Sequence, residues 1–267
     1  AGDAPAADLS RMQMLSLLVA GLFLHAAMVL LMRRAGFLMH TFDEPVRFEI
    51  SWNWARDPFF FTHWDGIWLS GSFIYYGAFM KLLGSASNGL EVALIVGWSF
   101  SVLGIAAVAR VASARRWVAA AAGLLLAVGH PLVTISHGPM AEVPLIGFLG
   151  CAVALSWWLL ARPERAFAGR KLLAALGAAV CLAAAASLHY TAWMAIVVLM
   201  PFLTWGAWMR RNQLGAADWA GLLLIVAGSA AFPLAWAFMS WRVFGSPTAF
   251  LENQVNALEP TQATTGG

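Results

Sequence analysis

The chain has 267 residues, of which 61% are hydrophobic and 11% charged, with a mean hydropathy of +0.74. A soluble domain carries about 25% charged residues, so too little polar surface is present to solvate one, and a soluble enzyme, a disordered chain and a β-barrel are excluded. A net charge of +3 and a pI near 9.2 do not point to nucleic acid, because Arg and Lys bunch in short segments between apolar runs. Cys151 and Cys181 lie in the middle of such runs, where a thiol is a small buried hydrophobe.

In chain order, apolar stretches predict spans at 12–32, 91–109, 118–135, 143–161, 172–188, 192–209 and 219–243. Each is long enough to cross a hydrocarbon core of about 30 Å as a helix with its backbone polar groups satisfied internally. The expected fold is therefore an all-α polytopic membrane protein of about seven transmembrane helices, forming one transmembrane domain over 1–267. The start without Met and the ending Thr264-Thr265-Gly266-Gly267 lead us to expect a piece of a longer chain.

Positive charge orients the spans. Arg110, Arg115 and Arg116, then Arg162, Arg165, Arg170 and Lys171, then Arg210 and Arg211 fall in three loops, each two spans from the next. The positive-inside rule puts all three in the cytoplasm together with the N-terminus. Segments 33–90, 136–142, 189–191 and 244–267 are then outside, the last as the start of an extracytoplasmic tail. Arg33 and Arg34 run against this layout and are outvoted by the three loops. The apolar run 67–83, interrupted by Ser70-Gly71-Ser72 and rich in Tyr and Trp, reads as an amphipathic helix lying on the outer surface. The long first loop thus carries interfacial helices. Pro131, Pro139, Pro144, Pro201 and Pro233 read as ordinary kinks and boundaries.

The acids and histidines are sorted as strongly as the arginines. Asp43, Glu44, Glu49, Asp57, Asp65, Glu91, Glu142, Glu252 and Glu259 fall outside or at the outer boundary, against Asp3, Asp8, Glu164 and Asp218 inside, and His40, His63, His130, His137 and His189 lie in outer loops or the outer halves of spans, leaving His25 mid-membrane. Positive-inside sorting imposes little on these residue types, and an extracytoplasmic active site accounts for the asymmetry. The densest patch runs from His40 to Ser51, with adjacent carboxylates Asp43-Glu44 ahead of Pro45 and Arg47 one turn on. An N-cap or helix-dipole role is the alternative there. Asp57 to Gly66 combines aromatics with His63 and Asp65, and Ser136 to Pro144 holds His137 and Glu142. His189 stands alone between the fifth and sixth spans.

Phe42-Asp43-Glu44 with Glu49-Ile50-Ser51, then His63-Trp64-Asp65-Gly66, then the stretch ending at Leu83-Gly84, resembles the first-loop signature of the GT-C glycosyltransferases. Specifically, it is similar to that of the bacterial aminoarabinose transferases and the protein O-mannosyltransferases. Glu142 before Val143-Pro144 stands where family members carry an acid-Pro pair. The resemblance covers about 30 residues in motif and most of the chain in layout. It implies an enzyme of the bacterial inner membrane that takes a sugar from a polyprenyl-phosphate donor and transfers it, with inversion, to a lipid, glycan or protein acceptor. Asp43 would be the general base and Glu44 its neighbour, the chemistry asking for a carboxylate that accepts the acceptor's proton. His63, Asp65 and Glu142 would face the leaving phosphate or a divalent ion. Arg47, His137 and His189 complete the candidate phosphate-binding groups, and Asp43, Asp65 and Glu142 form the candidate metal set. Two departures stand out: Gly71-Ser72-Phe73 replaces the Glu-Lys-Pro of the aminoarabinose transferases, and family members run on through further spans. The rival is a transporter whose outer vestibule holds the same cluster, although transporters place ionisable groups nearer the midplane.

The layout predicts that, with both native cysteines replaced, a membrane-impermeant thiol reagent applied from outside labels Ser87→Cys and spares Ser113→Cys. The opposite pattern would overturn the orientation.

Overall fold

A computed structural model describes residues 8–35, 43–60, 68–113, 115–129, 138–161 and 167–250, the Arg33 side chain excepted. Every regular element among the described residues is helical. In order these are α1 (Arg11–Arg34), α2 (Asp43–Arg56), α3 (Ser70–Leu83), α4 (Ala86–Ser113), α5 (Arg116–Val128), α6 (Glu142–Ala161), α7 (Ala168–Leu188), α8 (Thr191–Met209) and α9 (Ala216–Phe244). Six of them, α1, α4, α6, α7, α8 and α9, are long and apolar enough to cross a membrane. The architecture is that of a polytopic helical membrane protein.

The expected span 118–135 is represented by α5, whose 13 residues extend only about 20 Å. The remainder of that stretch lies outside the described residues. Helix α5 sits between α1 and α4. Its small face takes Leu18 of α1 over Gly123, and His25 of α1 places Nδ1 3.1 Å from the Ala127 carbonyl. Pro201 and Pro233 fall inside α8 and α9, within spans rather than at their ends.

The bundle is assembled by close approach along small residues. A Cβ on Gly104 would lie 2.8 Å from the Gly147 carbonyl oxygen, and one on Gly150 would lie 2.7 Å from the Gly104 carbonyl carbon. Between these contacts the backbones of α4 and α6 touch, which gives dispersion contacts that lipid cannot match. The Ser101 hydroxyl donates to the Val143 carbonyl across the same seam. Helices α7 and α9 repeat the device, with Gly228 against Ala179, and beside them Leu159, Leu182, Ile225 and Trp236 close the largest apolar core.

The two ends of the bundle differ in kind. At one end Lys171 Nζ pairs with Asp218 Oδ1 at 2.8 Å, both buried, and Asp218 Oδ2 also accepts the Gly215 amide at the start of α9. Nearby segments at that end are tied by Asp8 accepting the Arg116 amide and by Arg210 donating to the Leu160 carbonyl. The other end is covered by α2 and α3. Helix α3 is amphipathic, burying Gly71, Phe73, Tyr76, Gly77 and Met80 while Lys81 and Leu82 remain exposed. Gly71 abuts the Ser187 backbone at the end of α7, and Gly89 at the start of α4 abuts the Met80 backbone. The helix thus crosses the ends of two spans. It stops at Gly84, whose φ of 61° places it in the left-handed region and whose amide closes on the Lys81 and Met80 carbonyls.

Alanine favours a helix over glycine by about 0.8–1 kcal/mol, yet a Cβ at position 150 meets backbone. Gly150→Ala is therefore expected to lower the thermal midpoint, overpacking costing about 1–3 kcal/mol. Gly169→Ala, where nothing lies within 4 Å, should not lower it. Equal responses of the two variants would contradict the close packing of α4 on α6.

Candidate functional site

The site is built on α2. Its acids Asp43 and Glu44 occupy the first turn and Arg56 the last, each complementing the helix dipole. Glu44, Arg47, Ser51 and Ala55 are buried, and their spacing defines one helical face. The unusual feature is that this inward stripe begins with two charged residues, Glu44 at 1% and Arg47 at 4% exposure. Asp43, one position earlier, turns outward with its side chain half exposed.

Four segments meet around Arg47. Its guanidinium lies 4.0 Å from Asp43 Oδ2 and 5.2 Å from the ring centroid of Trp68. It also interacts with Glu142 at the start of α6 and with Tyr76 of α3. Burial pulls the Arg47 pKa down, opposed by the two carboxylates and Tyr76. Glu142 Oε1 is 3.9 Å from His189 Nε2 in the α7–α8 turn. Desolvation holds the His189 pKa below its ordinary value, against the opposing pull of Glu142, and Arg47 lowers it further. The ring is therefore neutral at pH 7, and among the described residues the positive charge acting on Glu142 is that of Arg47.

The scaffold beneath these groups is specific. Gly138 packs directly on the Glu44 side chain, where a Cβ would come within 2.8 Å of its carboxyl carbon. The Tyr76 hydroxyl donates to the Met140 carbonyl at 2.8 Å, two residues before Glu142. Burial raises the Tyr76 pKa well above the ordinary phenol value, so the hydroxyl stays a donor. Ala141, Leu145, Ala185 and Leu188 form the apolar layer under Glu142 and His189. Within this frame Arg47 Nε, Glu142 Oε2 and Ser70 Oγ are buried with no hydrogen-bond partner among the described residues. Hydrogen-bonding capacity of this kind is rarely left unmet in a native interior.

Of the residues expected from sequence, Asp43, Arg47, Glu142 and His189 are brought together, with Glu44 buried behind them. His63, Asp65 and His137 lie outside the described residues. Tyr76, Trp68 and Ser70 are members that sequence reasoning missed. The pair Tyr75-Tyr76 reads as an interfacial anchor, and nothing in its spacing distinguishes the hydroxyl that turns to Met140 from the one that donates to the Ala93 carbonyl. Among the described residues no three His, Cys, Asp or Glu side chains stand close enough to hold a metal ion. Asp43 and Glu142 both interact with the Arg47 cation, and Asp65, the third member of the expected metal set, lies outside the described residues.

No protein-family model matches the chain, and no curated protein and no solved structure does so either.

Proposed function

We propose that the chain is the membrane part of a glycosyltransferase acting on a polyprenyl-phosphate-linked sugar, with the site at the α2/α6 end facing outward from the cytoplasm. The observation that supports this reading is the meeting of Asp43 and Arg47 with Glu142 and His189 at one end of the bundle. There, a buried guanidinium retains an unmatched N–H beside a half-exposed carboxylate. A cation with spare donors suits the oxygens of a phosphate ester, and a solvent-reachable carboxylate suits a hydroxyl that must lose its proton.

In the proposed reaction Asp43 takes the proton of the acceptor hydroxyl as its oxygen bonds to the anomeric carbon. The bond from that carbon to the phosphate oxygen breaks, and its electron pair leaves on the polyprenyl phosphate. The geometry is a single displacement and inverts the centre. Arg47 offsets negative charge on the departing phosphate. Glu44, buried under Gly138, belongs to the support of the site in this scheme. The resemblance in Phe42-Asp43-Glu44 and in Glu142-Val143-Pro144 points the same way. A transporter is less well supported, because the buried acids, Arg and Lys described, Glu44, Arg47, Lys171 and Asp218, lie near helix ends, and His25 of α1, buried at mid-span, places Nδ1 against the Ala127 carbonyl.

Asp43→Asn is expected to abolish sugar transfer from defined polyprenyl-phosphate sugars in detergent while leaving the protein folded and able to bind its lipid donor. A general base contributes about 10²- to 10⁴-fold to rate, whereas Asn keeps the shape and polarity of Asp in the first turn. Retained turnover would assign Asp43 to the helix terminus alone. Glu44→Gln should be milder in turnover; if it proves the more damaging, the base is the other carboxylate.

A further inference from the structure

His189 faces two different partners through its two ring nitrogens. Nδ1 accepts the Thr191 backbone amide at 3.1 Å and lies 2.7 Å from the Thr191 hydroxyl. An amide can only donate, so the neutral ring carries its proton on Nε2. Nε2 stands 3.9 Å from Glu142 Oε1, and the Glu142 carboxylate in turn interacts electrostatically with Arg47. The Oε2 atom is buried with no hydrogen bond to hold it. Among the described residues, the groups that act on Glu142 are a guanidinium from α2 and an imidazole from the α7–α8 turn.

We infer that His189 is a positioning residue, whose Nε2–H dipole directs the Glu142 carboxylate toward Arg47, and not itself a ligand for phosphate. Nδ1 is already engaged by Thr191 and Nε2 is turned to Glu142, so the ring has no further polar atom to offer a substrate. The alternative is a purely local role, with His189 capping the start of α8 by accepting the Thr191 amide. Two substitutions separate these roles. Asn at this position keeps an acceptor for the amide two residues on but cannot span the distance to Glu142. Gln places an N–H donor near the position of Nε2.

The contact itself does not depend on the transferase reading, whereas its effect on turnover does. In protein labelled with ¹⁵N-histidine and held in lipid nanodiscs, the Nε2 signal lost in His189→Asn is expected to shift on Glu142→Gln and to stay in place on Glu49→Gln, an exposed acid of the same α2 helix. A signal unmoved by Glu142→Gln overturns the inference. In the transfer assay His189→Asn should lower kcat by about 10- to 100-fold with little change in KM at an unchanged thermal midpoint, and His189→Gln should recover most of it. Wild-type turnover in His189→Asn overturns the inference. Absence of transfer by the wild-type protein, with the Nε2 signal still responding to Glu142→Gln, would remove the transferase reading and leave the positioning contact standing.

Discussion

Arg47 is the constraint on which the site end of the bundle depends. Removing a guanidinium from water costs several kcal/mol unless charge and hydrogen bonds are returned to it. Asp43, one turn back on its own helix, supplies one counter-charge, and Glu142 from α6 supplies the other. Trp68 adds a ring at cation–π distance, worth about 0.5–2 kcal/mol. These contacts offset burial more than they add stability. Their main consequence is geometric, because an α2 that shifted along the bundle would strand a charge. Helix α2, the start of α6 and the α7–α8 turn are thereby held in one arrangement.

The bundle beneath must be rigid for such a cluster to keep its geometry, and it is made so by backbone contact. Helix α6 is pinned to α4 through Gly104, Gly147 and Gly150, and α9 to α7 through Gly228. At the opposite end Lys171 and Asp218 close a buried pair that also satisfies the Gly215 amide. The outward faces of α1, α8 and α9 carry exposed Phe23, Phe202, Trp205 and Leu234, as surfaces meeting lipid should.

Much of this organisation could be read in the residues themselves. Long apolar runs mark the six long helices, because nothing but a helix satisfies so many backbone groups without water. The short, aromatic 67–83 run marks α3, and Pro45 after two acids marks the start of α2. The gathering of Asp43, Arg47, Glu142 and His189 could be anticipated as a shared end of the bundle from the side each residue occupies. Other features were out of reach. Hydropathy alone carries 118–135 as a full span, whereas regular α5 closes at Val128. The inward turn of Glu44 and the outward turn of Asp43 depend on the rotation of α2, which is set by Gly77 against the Ser51 carbonyl and Gly138 against Glu44. Such contacts join segments far apart in the chain, and no local pattern records them. The same holds for the tautomer of His189, which follows from the Thr191 amide and not from the identity of the residue.

The central claim is that buried Arg47 and partly exposed Glu142 act as one electrostatic unit linking α2 to α6. A double-substitution cycle of Arg47→Met and Glu142→Gln, read as thermal midpoints in nanodiscs, tests it most directly. Each single change should lower the midpoint, and the double variant should fall no further than Arg47→Met alone, since each single change strands the other partner. Strictly additive losses would mean that the two side chains do not sense one another, and would contradict the account.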